Sequence, residues 1–398
     1  MLSNGTSVAY TFPRKEVTGF NSACEPLRVA LVAGTLGQGG AEKQLLYIAR
    51  ALRDANVEVK VFSLTQAEFY ESLLTEIGLQ PTWVGRRQHP MSRLVTLSGA
   101  VRQFRPHILQ SIHFFTNLYT AIIARQHGAV GIGSIRGDTL SSLKANAFWG
   151  KWLLQMPHSL IVNSYCAKAT AEASGVRAEK VHVLPNVLNL TDFDSRFDSA
   201  TLPQNDPGST TVMAIGRLIP GKRFERFITA IAEGRRRGEP LKGILVGDGP
   251  ERGKLESIAR THGLQDHLSF LGRRDDVVAL LKQASMLVLC SDNEGFPNVL
   301  LEAMAARLPV ITTPAGDAGS VVHDGITGYV VPFDDPQMLV DRMVALGKSR
   351  DLRVRMGEAG RQRLEDHYTF ESLAPRLLSI YRDIAVQQNH RALLSQFQ

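Results

Sequence analysis

Two carboxylates stand eight positions apart in the stretch Ser291-Asp-Asn-Glu294-Gly-Phe-Pro-Asn-Val-Leu-Leu-Glu302. Pro297 suits the first turn of a helix, which puts Glu302 on that helix and Glu294 in the loop that opens it. Eight helical positions are a little over two turns, so both side chains can enter one pocket at different depths. A carboxylate facing a ribose accepts from two vicinal hydroxyls, and one at the pocket mouth can hold a sugar. The structural alternative is a capped amphipathic helix with Glu294 near its positive end. Against it, Glu302 sits among Leu301, Ala303, Met304 and Ala305, where an idle charge is costly.

Three glycine-rich loops could bring backbone close to such a ligand. Gly216-Arg217-Leu-Ile-Pro-Gly-Lys222-Arg223 nearly spells a P-loop, but Arg223 stands where a Ser or Thr would hold magnesium. What remains is a pair of cations, Arg217 and Lys222, suited to neutralising a diphosphate without metal. Gly34-Thr-Leu-Gly37-Gln-Gly39-Gly40-Ala-Glu42-Lys43 joins a strand pattern to a helix pattern. Its glycines favour close ligand approach, and the helix start offers unpaired N–H groups to an anion. The spacing differs from the G-x-G-x-x-G dinucleotide fingerprint. Gly247-Asp-Gly249-Pro250 reads equally as a turn or as backbone against a base or phosphate.

These loops need a frame to position them. Short apolar runs at 27–33, 57–63, 108–112, 131–135, 160–163 and 181–184 alternate with helix-like segments at 41–55, 91–104 and 166–174. A second alternation has runs at 211–215, 241–246, 268–271, 286–289, 310–313 and 329–331. That is the pattern of parallel sheets with right-handed crossovers. The expected fold is α/β: two facing Rossmann-like doubly wound domains with the site in the cleft between them. A loose tail is expected over 1–25, the first domain over 26–190, an aperiodic linker over 191–209, and the second domain over 210–369. A last helix, 370–398, crosses back to the first domain. In the 91–104 helix, Met91, Leu94, Val95, Val101 and Phe104 are expected on one face.

Composition narrows the partners. The chain has 398 residues, 44% hydrophobic and 21% charged, enough apolar material for two cores. It lacks an apolar run of the ~18 residues that a spanning helix needs. Three scattered cysteines and no leader-like start point to a reducing cytoplasm, with residence on the inner face of the plasma membrane as a peripheral protein. The net charge of +7 is concentrated in 77–137, which holds seven arginines and no acid. Such a segment fits an anionic membrane surface or a phosphorylated substrate. Without interleaved aromatics it does not fit nucleic acid.

Taken in order, the 34–43 and 216–222 loops, Gly247–Pro250 and Glu294-x7-Glu302 resemble the retaining glycosyltransferases of family 4, with the GT-B fold. The likeness runs over about 27–385 and includes Pro185-Asn186, Glu302-Ala-Met-Ala, Leu308-Pro-Val and Gly325-Ile-Thr-Gly-Tyr-Val-Val-Pro332. It implies transfer of a hexose or N-acetylhexosamine from a nucleotide sugar, uridine-linked, with no metal and no other cofactor. The acceptor would be a glycan or a lipid-linked saccharide, in cell-surface polysaccharide or lipopolysaccharide synthesis. By the same resemblance Glu302 holds the ribose, and Glu294 with Gly295, Phe296, Asn298 and Val299 holds the donor sugar. Arg217 and Lys222 take the diphosphate, beside the glycines at 37, 39, 40, 247 and 249. His113, in Ser111-Ile-His-Phe-Phe115, matches a histidine near the donor sugar. Arg136, in Arg136-Gly-Asp138, and Asn163 fall on the acceptor side.

The chain departs from the family pattern at Val187, where Gly is usual, at Arg307, again for Gly, and at Ser320, where a third Glu is common. Asp192-Phe-Asp194 has the D-x-D form of metal-dependent transferases but falls in the expected linker. Three rivals remain at this level: a nucleotide-sugar epimerase of similar fold, a P-loop-like NTPase, and a nucleotide-sugar-binding protein that has lost chemistry.

Overall fold

A computed structural model describes residues 25–85, 89–137, 147–201 and 208–397. The expected tail, Arg86, Arg87 and Asp138 lie outside them. The described residues fall into two compact units: those up to Val187 together with those from Phe370 onward, and Leu188–Thr369.

The first unit holds β1 (Arg28–Ala33), β2 (Glu58–Ser63), β3 (Thr82–Trp83), β4 (Ile108–Ser111), β5 (Val130–Ile135), β6 (Ser159–Val162) and β7 (Val181–Val183), all parallel, in the order β3-β2-β1-β4-β5-β6-β7. Both faces of this sheet are covered. Helix Gly40–Asp54 contributes Leu45, Ile48 and Leu52 to a core shared with Leu377, Tyr381 and Ile384 of helix Leu373–Gln387. The C-terminal helix is thus part of the first unit, and the buried Tyr381 hydroxyl donates to Gln110 of β4. A second core joins Leu97 and Val101 of helix Pro90–Phe104 to Ile123 and Ala124 of helix Asn117–His127.

That second core corrects one expectation. Leu97 and Val101 are the inward pair, while Met91 and Val95 are 61% and 69% exposed. Residues 97 and 101 are one turn apart and face the sheet, which carries 91 and 95 to the outer side.

The second unit holds β8 (Thr210–Ile215), β9 (Leu241–Val246), β10 (Leu268–Gly272), β11 (Met286–Leu289), β12 (Val310–Thr312) and β13 (Gly328–Val330), again parallel, in the order β10-β9-β8-β11-β12-β13. Its core includes Phe227 and Ile231 of helix Phe224–Arg236 and Met343 of helix Pro336–Lys348.

The expected linker is not aperiodic throughout. Leu190–Ser199 is a helix whose Asn189 side chain accepts from the Asp192 amide at 3.0 Å. A capping side chain is a strong helix start, and Phe193 is buried on the inner face. The D-x-D motif is absorbed here. Asp194 receives two bonds of 2.7 Å from the Arg361 guanidinium, which hold its carboxyl below the ordinary range.

Candidate active site

In each sheet the strand order reverses once, between β1 and β4 in the first and between β8 and β11 in the second. Ligands of open α/β sheets bind outside the carboxyl ends of the strands at such a switch point. Both switch points are where the sequence motifs fall.

In the second unit the Gly216–Arg223 loop follows β8 and the Cys290–Pro297 loop follows β11. Lys222 Nζ lies 2.5 Å from Glu294 Oε1 and joins the two. The same oxygen accepts from Ser291 Oγ at 2.6 Å. The Asp292 amide donates to the Gly221 carbonyl at 2.9 Å, fixing the backbone of one loop on the other. Lys222 and Glu294 keep 20% and 10% of their side-chain surface exposed, whereas Arg217 stands out in solvent. Lys222 is therefore not a bare cation: its charge is held by Glu294.

Glycines set how closely the remaining loops approach. A Cβ on Gly247, whose φ is +136°, would stand 1.9 Å from the Gly216 carbonyl oxygen, so the β9 loop lies directly on the β8 loop. Gly316, after β12, has φ +57°, and a Cβ there would meet the Glu294 carbonyl at 2.2 Å. Gly249 sits against the Leu218 carbonyl in the same manner. Pro297 is the cap residue rather than the first helical one, and helix Asn298–Ala305 begins at Asn298. Gly295 and Phe296 are buried just ahead of it, while Asn298, Val299 and Glu302 are half-buried on it. Glu302 is thus not turned out to bulk water.

Arg223, the residue that breaks the P-loop pattern, has φ +53° and lies 2.9 Å from Glu225 and 3.6 Å from Asp292. No hydroxyl is available there for magnesium. Arg307, where the family pattern has Gly, has φ +55°, a left-handed conformation that Gly adopts without strain. Val187 is held differently, its amide and carbonyl clamped by the Gln44 side chain at 3.1 and 2.8 Å. After β12, Ser320 offers its carbonyl to Arg363 rather than a carboxylate to a ligand.

In the first unit His113 follows β4 and the glycine loop follows β1. The Gly34 amide donates to His113 Nδ1 at 3.0 Å. That bond makes Nδ1 the acceptor, so Nε2 carries the hydrogen and donates to Glu42 Oε1 at 3.1 Å. Both ring nitrogens are therefore engaged. His113 organises the loop in this state, and a role on the donor sugar would require it to exchange the Glu42 bond. A Cβ on Gly39 would come within 2.3 Å of Glu42 Oε2, so Gly39 leaves room for that carboxylate; Gly37 turns its amide to Thr35 Oγ1, and Gly40 opens the helix.

Glu68 braces the same loop from the β2 side. Burial opposes its ionisation, yet bonds from Thr65, the Leu36 amide and Thr35 prevail and hold its carboxyl below the ordinary range. Neither Glu42 nor Glu68 was singled out from the sequence. Glu42 meets His113 71 positions away, and Glu68, besides the nearby Thr65, meets Thr35 33 positions away; one chain offers no signal at such separations.

Arg136 and Asn163 directly follow the adjacent strands β5 and β6. Ile135 is in register with Val162, which makes 136 and 163 the next neighbours along the sheet edge. Arg136 Nη1 reaches Asn186 Oδ1 at 3.4 Å.

Residues 39–187 match the family described as glycosyl transferase 4-like domain, and residues 200–363 match glycosyl transferases group 1. The chain belongs to the family 4 glycosyltransferases of GT-B fold. Among relatives, N-acetyl-alpha-D-glucosaminyl L-malate synthase of Bacillus anthracis is 34% identical over 35% of this chain and 37% of its own. A Campylobacter jejuni alpha-1,4-N-acetyl-D-galactosaminyltransferase, named for an undecaprenol-diphosphate-linked saccharide, is 25% identical over 85% of this chain and 94% of its own. Relatives above 30% identity are matched over 37% to 56% of their length. The Anabaena protein HepE, solved with UDP-glucose, superposes with a TM-score of 0.76 at 18% identity, over 91% of this chain and 99% of its own. At that identity the likeness establishes the fold. Among the described residues there is no group of three His, Cys, Asp or Glu side chains placed to hold a metal, and no helix long and apolar enough to cross a membrane.

Proposed function

We propose that this protein is a retaining, metal-independent glycosyltransferase. It moves a hexose or N-acetylhexosamine from a uridine diphosphate sugar to a glycan or lipid-linked saccharide in cell-surface polysaccharide synthesis. The observation that carries the proposal is the Lys222–Glu294 contact at the β8/β11 switch point, with backbone from three further glycines closing on the same loops. Lys222 and Arg217 take the diphosphate, Glu302 the ribose, and Glu294 with the Gly295–Phe296 backbone the sugar. Supporting uridine over other bases is the UDP-glucose seen with the Anabaena neighbour.

In the transfer step the bond between the anomeric carbon and the diphosphate oxygen breaks, and the acceptor oxygen bonds the same face of that carbon. The acceptor proton passes to a phosphate oxygen of the departing diphosphate. Negative charge grows on that diphosphate, and fixed cations aimed at it lower the barrier. The Gly34–His113–Glu42 chain keeps the first unit's loop in shape.

The first unit also docks the protein on the cytoplasmic face of an anionic bilayer. Trp149 and Trp152 of helix Ala147–Gln155 are 63% and 47% exposed, and helices Pro90–Phe104 and Ala147–Gln155 both contact helix Asn117–His127. Residues 77–171 contain ten Lys and Arg and a single acid. Exposed indole rings amid basic charge suit a headgroup layer.

The test is a thermal-shift panel of nucleotide sugars in EDTA, then acceptor trials with the best binder and assignment of the product anomer by NMR. An inverted product, or transfer that requires added metal, removes the mechanism. Conversion of the donor without acceptor would favour the epimerase.

A further inference from the structure

Arg136 is a buried cation to which the steps above give no task. Nε and Nη2 of its guanidinium are covered and have no hydrogen-bond partner, although the side chain as a whole keeps partial exposure. Nη1 has only the long contact to Asn186. Beside it, Asn163 Oδ1 is also buried without a partner. Among the described residues no carboxylate acts on the arginine; the titratable group it senses there is the Tyr381 hydroxyl, itself committed to Gln110. Burial pushes the guanidinium down to about 10, so it is still a cation at neutral pH.

A charge taken from water with no counter-ion among the described residues is a standing cost to the fold. Nε and Nη2 are the two donors on one side of the fork, the pair that grips the two oxygens of a carboxylate or phosphate together. The unit therefore carries a half-made bidentate site at the carboxyl edge of β5 and β6.

We propose that Arg136 receives an oxyanion borne by the acceptor, with Asn163 Oδ1 taking a hydroxyl of the same molecule. The assignment to the acceptor rests on the transferase proposal above; the oxyanion site itself does not. Two sources share this chemistry: the phosphate of a lipid-linked diphosphate, and the carboxylate of an acidic acceptor. A neutral glycan lacking either would be a poor substrate.

Anion binding tests this without any transfer reaction. The parent is the double variant Arg217→Ala/Lys222→Ala, which disables the donor diphosphate site. Inorganic pyrophosphate and malonate are titrated separately in chloride buffer by calorimetry and thermal shift. Saturable binding is expected for one or both, weakened tenfold or more by adding Arg136→Met, with Arg136→Lys intermediate because it keeps the charge but loses the fork. Preference for pyrophosphate identifies the phosphate source, and preference for malonate the carboxylate. Without anion, Arg136→Met is expected to melt no lower than its parent, since it removes an uncompensated charge. A marked loss of Tm in Arg136→Met would show a structural arginine, and anion affinity unchanged by that substitution would equally overturn the proposal. Failure of transfer with the anion site intact would fall on the transferase proposal alone.

Discussion

Replacing Lys222 by Met removes one partner from an ion pair whose other member, Glu294, is nine-tenths covered. In a dry interior such a deletion costs ~3–5 kcal/mol. Lys222 is one-fifth exposed and Ser291 still donates to Glu294, so solvent recovers part of this. About 1–3 kcal/mol is the expected loss, discounted for screening. For a unit of roughly 180 residues that lowers Tm by roughly 2–12 °C. Donor affinity should fall as well, because a charge-assisted hydrogen bond contributes ~1.5–3 kcal/mol, about tenfold to a hundredfold. Arg217→Met separates the two effects: its side chain is exposed, so Tm should hold while donor affinity drops by a similar factor. In Lys222→Met/Glu294→Gln the orphaned carboxylate is gone, and Tm should return most of the way with affinity still lost. Melting curves with and without UDP, and calorimetric titration of UDP, measure both quantities. If both single variants bind UDP as the wild type does, or if the double variant melts as low as Lys222→Met, the assignment of this pair is wrong.

Gly39→Ala should reduce turnover with little change in Tm, since its Cβ meets only the flexible end of Glu42; a normal rate would show that the Glu42–His113 contact does not matter. Gly247→Ala should melt lower than Gly39→Ala because the obstruction is backbone and φ is +136°, and equal melting would contradict the packing of the two loops. Burial pulls His107, His158, His182 and His323 below the ordinary 6.5. The unfolded chain therefore takes up protons first as pH falls through 6.5, and Tm should decline between pH 7.5 and 5.5; a flat or rising Tm over that window would refute this. Trp149→Ala/Trp152→Ala should weaken sedimentation with anionic liposomes at low salt, and unchanged sedimentation would remove the docking face.

Much of the frame and of the loops at the sheet switch points was legible in the sequence because each depends on local pattern. Apolar runs of three to seven residues became parallel strands, and glycines marked the places where one loop lies on another. Arg223 alone argued against a magnesium P-loop; in the fold it has a left-handed backbone and lies beside Glu225 and Asp292. What was not legible depends on distant partners. Glu42 and Glu68 gain meaning only when β1, β2 and β4 are side by side. The Leu190–Ser199 helix was hidden by its polar composition; its cap and a single buried phenylalanine were enough to form it. In helix Pro90–Phe104 the apolar residues exceed what one face can hold, so periodicity alone did not tell Leu97 and Val101 from the outward Met91 and Val95.

The central claim is that Glu302 and the Lys222–Glu294 pair grip one nucleoside diphosphate at the β8/β11 edge. Calorimetric titration of UDP into the wild type and into Glu302→Ala, both in EDTA, tests it most directly. A single site is predicted in the wild type, weakened tenfold or more in the variant as the ribose loses its acceptor. Equal binding by both proteins, or no nucleoside diphosphate binding without metal, would contradict it.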